Sequence, residues 1–300
     1  MLKYVFKRLL VLIPIIAGGT FMVFMIMFTP VDLSSYDPHW DWQRQAGLLD
    51  PVWVLYLRYM AGVLTGNFGI SFRNHIPITG EIMMRLPYTL WLSLAALSFS
   101  LILAVPAGII AAVKRNTWID KVSMLIALIG ISIPSMWAGI LLMLFFSRHM
   151  SWAPLSGALQ WSYVVLPGMA LGYAILFAMI RTVRSSMIEV INKDYIRVVR
   201  AKGLSNGKVV FKHALPNIII PVLESFKAHM GAFFTCLIIA EYLFSWPGIG
   251  RLLLQSIAAR DYPVILGCLV VFVFFFAFVN FVIDIAKAFA DPHIRRERLC

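Results

Sequence analysis

The chain has 300 residues, of which 61% are hydrophobic and 13% charged; a typical soluble domain carries about 25% charged residues, so this composition argues against a water-soluble globule. The formal net charge of +12 does not point to nucleic acid, because the apolar residues come in membrane-length runs and leave no solvated basic face. Lys3, Lys7 and Arg8 precede an apolar run from Leu9 to Phe28. That run is long for a signal peptide and no small-residue cleavage site follows it, so it reads as an uncleaved first span. Cys236 and Cys268 fall inside apolar runs and Cys300 ends the sequence, which leaves no CxxC pair and no disulfide or zinc framework.

Five further runs are long enough to cross about 30 Å of hydrocarbon: Leu90 to Val113, Val122 to Phe146, Ser162 to Ile180, Ile218 to Ala240 and Val264 to Ile285. The expected fold is therefore all-α and polytopic, with six transmembrane helices. Pro106, Pro134, Pro167 and Pro221 sit in or near these runs; such breaks suit a moving pathway, although kinked packing is the commoner explanation. Between the first two spans, Pro51 to Leu64 is apolar but only about 14 residues long, too short to cross. Asp50 as N-cap and Pro51 as first helical residue predict a short helix at the outer interface, where Trp53, Tyr56, Tyr59, Trp40 and Trp42 would form an aromatic belt.

Lys and Arg are retained on the cytoplasmic side of membrane proteins. The N-terminus, the Lys114 to Lys121 connector, the Arg181 to Lys212 connector and the tail from Lys287 together hold eighteen, against seven on the opposite side, with Lys227 inside a span. Both termini are therefore expected in the cytoplasm. The domain reading is a first span at 1–30, an extracytoplasmic segment with an interfacial helix at 31–85, a five-helix core at 86–290 and a cytoplasmic tail at 291–300.

The connector around 184–216 is the longest on the cytoplasmic side. Ile188, Ile191, Tyr195 and Val198 recur at helical spacing, with Lys193, Arg197 and Arg200 on another face, which predicts an amphipathic helix. Gly203 is placed to end it with a left-handed turn, and Ser205 or Asn206 to cap a second short helix running to Leu215 before Pro216. A basic connector lying on anionic lipid would show the same charge. A rigid helix, turn and helix can also dock in a cleft of another protein and pass its displacement to the spans on either side.

At these residues the sequence resembles a family: the inner-membrane permease subunits of binding-protein-dependent ABC importers, in the dipeptide, oligopeptide and nickel branch. DYIRVVRAKGLSNGKVVFKHALPN, Asp194 to Asn217, resembles that branch's form of the EAA loop, with Gly203, Leu215 and Pro216 at the matching positions. Arg197, Val198 and Val199 stand where the Glu-Ala-Ala triplet would be, and His213 where other branches have an aliphatic residue. YVFKRLLVLIP from Tyr4, GNFGISF from Gly66, RLPYTLWLSLAA from Arg85, AEYLFSWPGIGRLLLQSI from Ala240, RDYPV from Arg260 and ADPHIR from Ala290 are similar as well. The segment Val31 to Asp50 departs from the family, being short and carrying Asp32 without a Gly-Asp-Pro context.

The resemblance implies a type I importer fold, a second homologous permease as heterodimer partner, two cytoplasmic ATP-binding-cassette ATPases and an extracytoplasmic solute-binding protein, all in a bacterial inner membrane. It implies that Ala201, Lys202, Gly203 and Leu204 form a tip inserted into an ATPase cleft, positioned by Arg197 and Arg200, and it allows Glu241 a role in an outer gate. ATP and magnesium would be bound by the partners and no cofactor by this chain. The residues agree, since the nearest approach to a phosphate-cradling loop, GLSNGKV from Gly203, is one residue short between its glycines and lacks the hydroxyl.

Glu224, Lys227 and His229 lie within the fifth span, where a charge at mid-depth costs roughly 2.5–3.5 kcal/mol. Glu224 and Lys227, three apart, share a helical face and could neutralise one another, or could line the path of a peptide with charged termini. Asp284 could pair with Lys287 in the same way, and Glu241 is expected to be solvated at the outer end. Met22, Met25, Met27, Met83 and Met84 suit helix packing better than metal binding, and His39, His75 and His149 are too scattered for a ligand set. An intramembrane protease reading could nominate Ser132 with His229, but GISIP lacks the GxSxG pattern. A secondary transporter would be expected to show internal repeats, and none is evident. Peptide is the expected cargo, with nickel or a nickel chelate as the alternative.

Overall fold

The computed structural model describes residues 2–28, 51–150 and 161–290. Asp32, His39, Trp40, Trp42, Asp50 and the tail 291–300 lie outside these residues, as does the side chain of His149. In chain order the helices are α1 (Leu2–Phe28), α2 (Val52–Leu64), α3 (Ile78–Val113), α4 (Trp118–Ser132), α5 (Ser135–Met150), α6 (Val165–Ile191), α7 (Asp194–Ala201), α8 (Asn206–Leu243), α9 (Ile249–Ala259) and α10 (Tyr262–Ala290). Among the described residues, pairing of extended chain is confined to one antiparallel bridge between Ile70 and Pro77. Among the described residues, five helices are long and apolar enough to cross a membrane, and six spans result if α4 and α5 are taken together.

The residues fall into two compact units: Tyr88–Pro247 with the chain from Val282, and Leu2–Pro87 with Gly248–Phe281. In the second unit, α2 starts at Val52, with Pro51 in the capping position instead of the first helical one. Its 13 residues extend only about 20 Å, short of a crossing. Tyr56 fastens α2 to α1, donating to the Ala17 carbonyl at 2.9 Å and lying 2.8 Å from the Thr20 hydroxyl. Here too the GNFGISF and RDYPV segments meet: Ser71 Oγ donates to Asp261 Oδ2 and the Phe72 N–H to Oδ1 at 3.2 Å. Both polar side chains are buried, so each satisfies what would otherwise be a costly group of the other.

The first unit is organised by α6, which packs against α4, α5 and α8. Close approach depends on missing side chains: a Cβ at Gly172 would lie 2.7 Å from the Ala96 carbonyl oxygen, and one at Gly108 2.6 Å from Val183 Cβ. The third expected span, Val122 to Phe146, is not one helix. It breaks at Ile133 and Pro134, and its halves are bent by 101°. Ile133 is extended, at φ −84° and ψ 123°, as a residue before proline prefers. In an unbroken helix the residue at 134 would donate to the Gly130 carbonyl, and proline has no N–H to give. Tyr173 Oη of α6 donates to that carbonyl at 2.9 Å, so another helix supplies the donor the break removes.

Candidate functional site

The connector around 184–216 is built on a buried aliphatic core. Val183, Met187 and Val190 of α6, Ile109 and Ala112 of α3, Ile196 of α7, and Val209, Val210, Ala214 and Ile218 of α8 form one cluster. This core holds the connector to the ends of three long helices. The turn above it has the expected chemistry: Gly203 sits at φ +79°, its N–H bonds to the Arg200 carbonyl at 2.9 Å, and the space where a Cβ would stand is open. Glycine is favoured there by backbone conformation alone. Asp194, Arg197, Arg200, Ala201 and Lys202 are all exposed around it and Leu204 is half-buried; Arg197 and Asp194 make a solvated pair at 3.4 Å.

Two expectations for this connector are corrected. Tyr195 and Val198 do not continue the inward stripe of Ile188 and Ile191. A break at Asn192 and Lys193 re-phases the helix, so Ile196 is fully buried while Tyr195 and Val198 are 42% and 55% exposed. The second short helix does not stop at Leu215 either. It runs on into the fifth span as α8, through a widened π turn at Val209–Ala214 and a 3-10 turn at Leu215–Ile218. These adjustments accommodate Pro216 within the helical path, and the Asn217 side-chain amide donates to the His213 carbonyl at 2.7 Å.

The charged residues of the fifth span form a cluster with α10. Glu224 and Lys227 are not paired to one another as their spacing suggested. Lys227 Nζ donates to Asp284 Oδ1 at 2.9 Å, and Lys287 Nζ donates to Glu224 Oε1 and lies 3.6 Å from Asp284 Oδ1. The closest pairs run between α8 and α10, while the contact of Asp284 with Lys287, three apart on α10 as their spacing suggested, is longer at 3.6 Å. Two acids and two bases give a cluster with no formal charge. The Asp284 and Lys287 side chains are 8% and 9% exposed and Glu224 is 59% exposed, so the cluster is closed at one end and open to solvent at the other. Glu241, expected to be solvated, is fully buried, with the chain folded back over it by the Trp246 N–H bond to its carbonyl at 2.8 Å. The Trp246 indole donates to the Tyr88 carbonyl at 2.9 Å.

A cavity of about 650 Å³ lies in the first unit, at the α4–α5 break and against α6 and α8. Its wall includes Tyr173, Arg181, Thr182, Arg184, His229 and Cys236. Arg184 is committed to Asp120: Nε donates to Oδ1 and Nη2 to Oδ2 at 2.7 Å, while the Asn116 N–H reaches Oδ2 at 3.0 Å. This buried carboxylate pins the short α3–α4 connector to α6 and was missed in the sequence. The available signal was that Asp120 is the one acid in a basic connector. The nominated pair Ser132 and His229 do not bond each other: Ser132 Oγ donates to the Leu128 carbonyl, and His229 Nδ1 lies 2.7 Å from the Ser225 carbonyl.

Comparison with known proteins bears on this geometry. Residues 104–296 match the family model described as binding-protein-dependent transport system inner membrane component. The chain is 39% identical over 304 aligned positions, covering 98% of it and 99% of the relative, to the glutathione transport system permease protein GsiC of Escherichia coli K12. It is 40% identical, with the same coverage, to the protein of that name from Salmonella paratyphi A. Among solved structures, a subunit of the MetNI methionine ABC transporter in an inward-facing conformation matches with TM-score 0.58 at 17% identity, over 70% of this chain and 96% of that one. With its apolar helices and this full-length similarity, the chain belongs to the family of binding-protein-dependent transport system inner membrane components, the multi-pass permeases of ABC importers.

Proposed function

We propose that this permease pairs with a second, homologous permease to form the path by which an ABC importer takes up short peptides of the size and charge of glutathione. Two cytoplasmic ATPases drive it and an extracytoplasmic binding protein delivers the cargo; ATP and magnesium are held by the ATPases, and this chain hydrolyses nothing. Both termini lie in the cytoplasm, and the sequence divides as 1–30, 31–85, 86–290 and 291–300. One observation carries the reading: an exposed tip around a left-handed Gly203, flanked by Asp194, Arg197, Arg200, Ala201, Lys202 and Leu204, is mounted on a buried core shared with α3, α6 and α8. A push on such a tip moves the spans rather than bending the connector. His213, Leu215 and Pro216 belong to the stem that transmits it. Glu224, Lys227 and Glu241 act in the pathway's framework.

Peptide is favoured over nickel because Arg181 is the charge on the cavity wall that no carboxylate among the described residues offsets, and it repels a bare cation. The similarity to glutathione permeases points the same way. The test is reconstitution with both ATPases, the second permease and the binding protein in proteoliposomes. ATP-dependent uptake of labelled tripeptide is expected, together with a crosslink from a cysteine at Lys202 to an ATPase subunit. Uptake that persists without the ATPases, or accumulation of nickel in place of peptide, would overturn the assignment.

A further inference from the structure

Four cations of the first unit stand beside the cavity or in the α8–α10 cluster, at positions 181, 184, 227 and 287, and three of them are matched with acid. Arg184 holds Asp120, Lys227 holds Asp284, and Lys287 holds Glu224. Among the described residues Arg181 has no carboxylate within ion-pair distance, and it is the one of the four that faces the cavity uncommitted. Thr182 and Ser185, on the same turn of α6, add hydroxyls to that wall, and His229 stands on α8. A guanidinium presents a planar fork of donors that matches a carboxylate with two parallel bonds.

We propose that Arg181 is a carboxylate-binding residue of the cavity, gripping an acidic group of the cargo as it passes from the pathway toward the cytoplasm. The inference rests on the peptide-import reading and adds to it a substrate class: cargo with at least one free carboxylate, held at this wall before release. A guanidinium already paired within the protein could not serve, because releasing its own partner would leave a carboxylate unmatched. Arg181 has no such partner to lose. Its solvent access keeps the grip weak enough for the cargo to leave, as transport requires.

Cys236 lines the same cavity and provides a reporter. The assembled, nucleotide-free complex is placed in nanodiscs, with Cys268 and Cys300 replaced by alanine, and Cys236 labelling by a maleimide is followed. S-methylglutathione, whose thiol is blocked, is expected to slow labelling, and its diester to have no effect; this arm needs no change at Arg181. Arg181→Gln should raise the half-protecting concentration about tenfold, the scale of one lost charge-assisted contact, and Arg181→Lys should fall between. Protection by the diester equal to that by the acid, unchanged protection in Arg181→Gln, or no protection in the parent complex would each overturn the proposal. So would slowing by an anionic lipid such as phosphatidylglycerol in the absence of peptide. Peptide uptake by the parent proteoliposomes keeps the two readings separable: uptake indifferent to Arg181 sinks the carboxylate grip alone, whereas no uptake at all sinks the importer assignment.

Discussion

The 184–216 connector and the α8–α10 cluster are both rich in charge, and they use it in opposite ways. In the connector the charges are solvated and the structure is held from beneath by aliphatic side chains, with Ile196, Val209 and Ala214 wholly buried. In the cluster, charge itself joins the helices, and Asp284 and Lys287 give up nearly all contact with solvent to do so. Solvated ion pairs contribute little to stability, while a shielded pair is costly to break one member at a time. The connector should therefore tolerate changes of charge but not of volume or backbone form. The cluster should show the reverse.

The largest expected effect is functional. Gly203→Asp should insert and assemble its spans yet reduce ATP-driven uptake to background, because in the proposed coupling the tip would meet the ATPase through bare backbone; wild-type uptake by this variant would remove the basis for the connector's proposed role. Gly203→Asn sharpens the point, since asparagine tolerates the left-handed form and adds only a side chain. Next comes Ile196→Ala, expected to cost about 3 kcal/mol, as for other buried aliphatic truncations, and to be read as faster hydrogen exchange across residues 193–218. Asp284→Asn should follow at about 2 kcal/mol in detergent unfolding, because two lysines share that carboxylate, whereas Glu224→Gln at the open end should cost less than about 1 kcal/mol. Equal losses at the two positions would show that the cluster is solvated throughout. The smallest effect is Asp194→Ala, for which no change in melting temperature is expected despite the ion pair with Arg197.

What could be read from the sequence depended on how local each feature is. The turn at Gly203 was legible because it is set by that residue's own φ, and the short α2 because thirteen residues are too few to cross. The partners of Glu224 and Lys227 were not legible. Spacing along one helix offered a neighbour, and the decision lay with α10, about sixty residues away. Asp120 with Arg184 and Ser71 with Asp261 were hidden for the same reason, since each joins segments whose meeting no periodicity announces. Pro134 could be seen as a weak point in the third span, but only the donor from Tyr173 explains how a bend of 101° leaves the Gly130 carbonyl satisfied. Glu241 looked wet because it sits at a helix end, and its full burial is not written in that local position.

The loosely wound stretch at Val209–Ala214 has a mechanical meaning. It holds one residue more than the regular coil needs there, so tightening it would rotate the helix beyond it by about 100° relative to the stem below. Under the proposed coupling, thrust at the Gly203 tip would emerge along α8 as torsion, turning its cavity-lining side while the grip of the aliphatic base is kept.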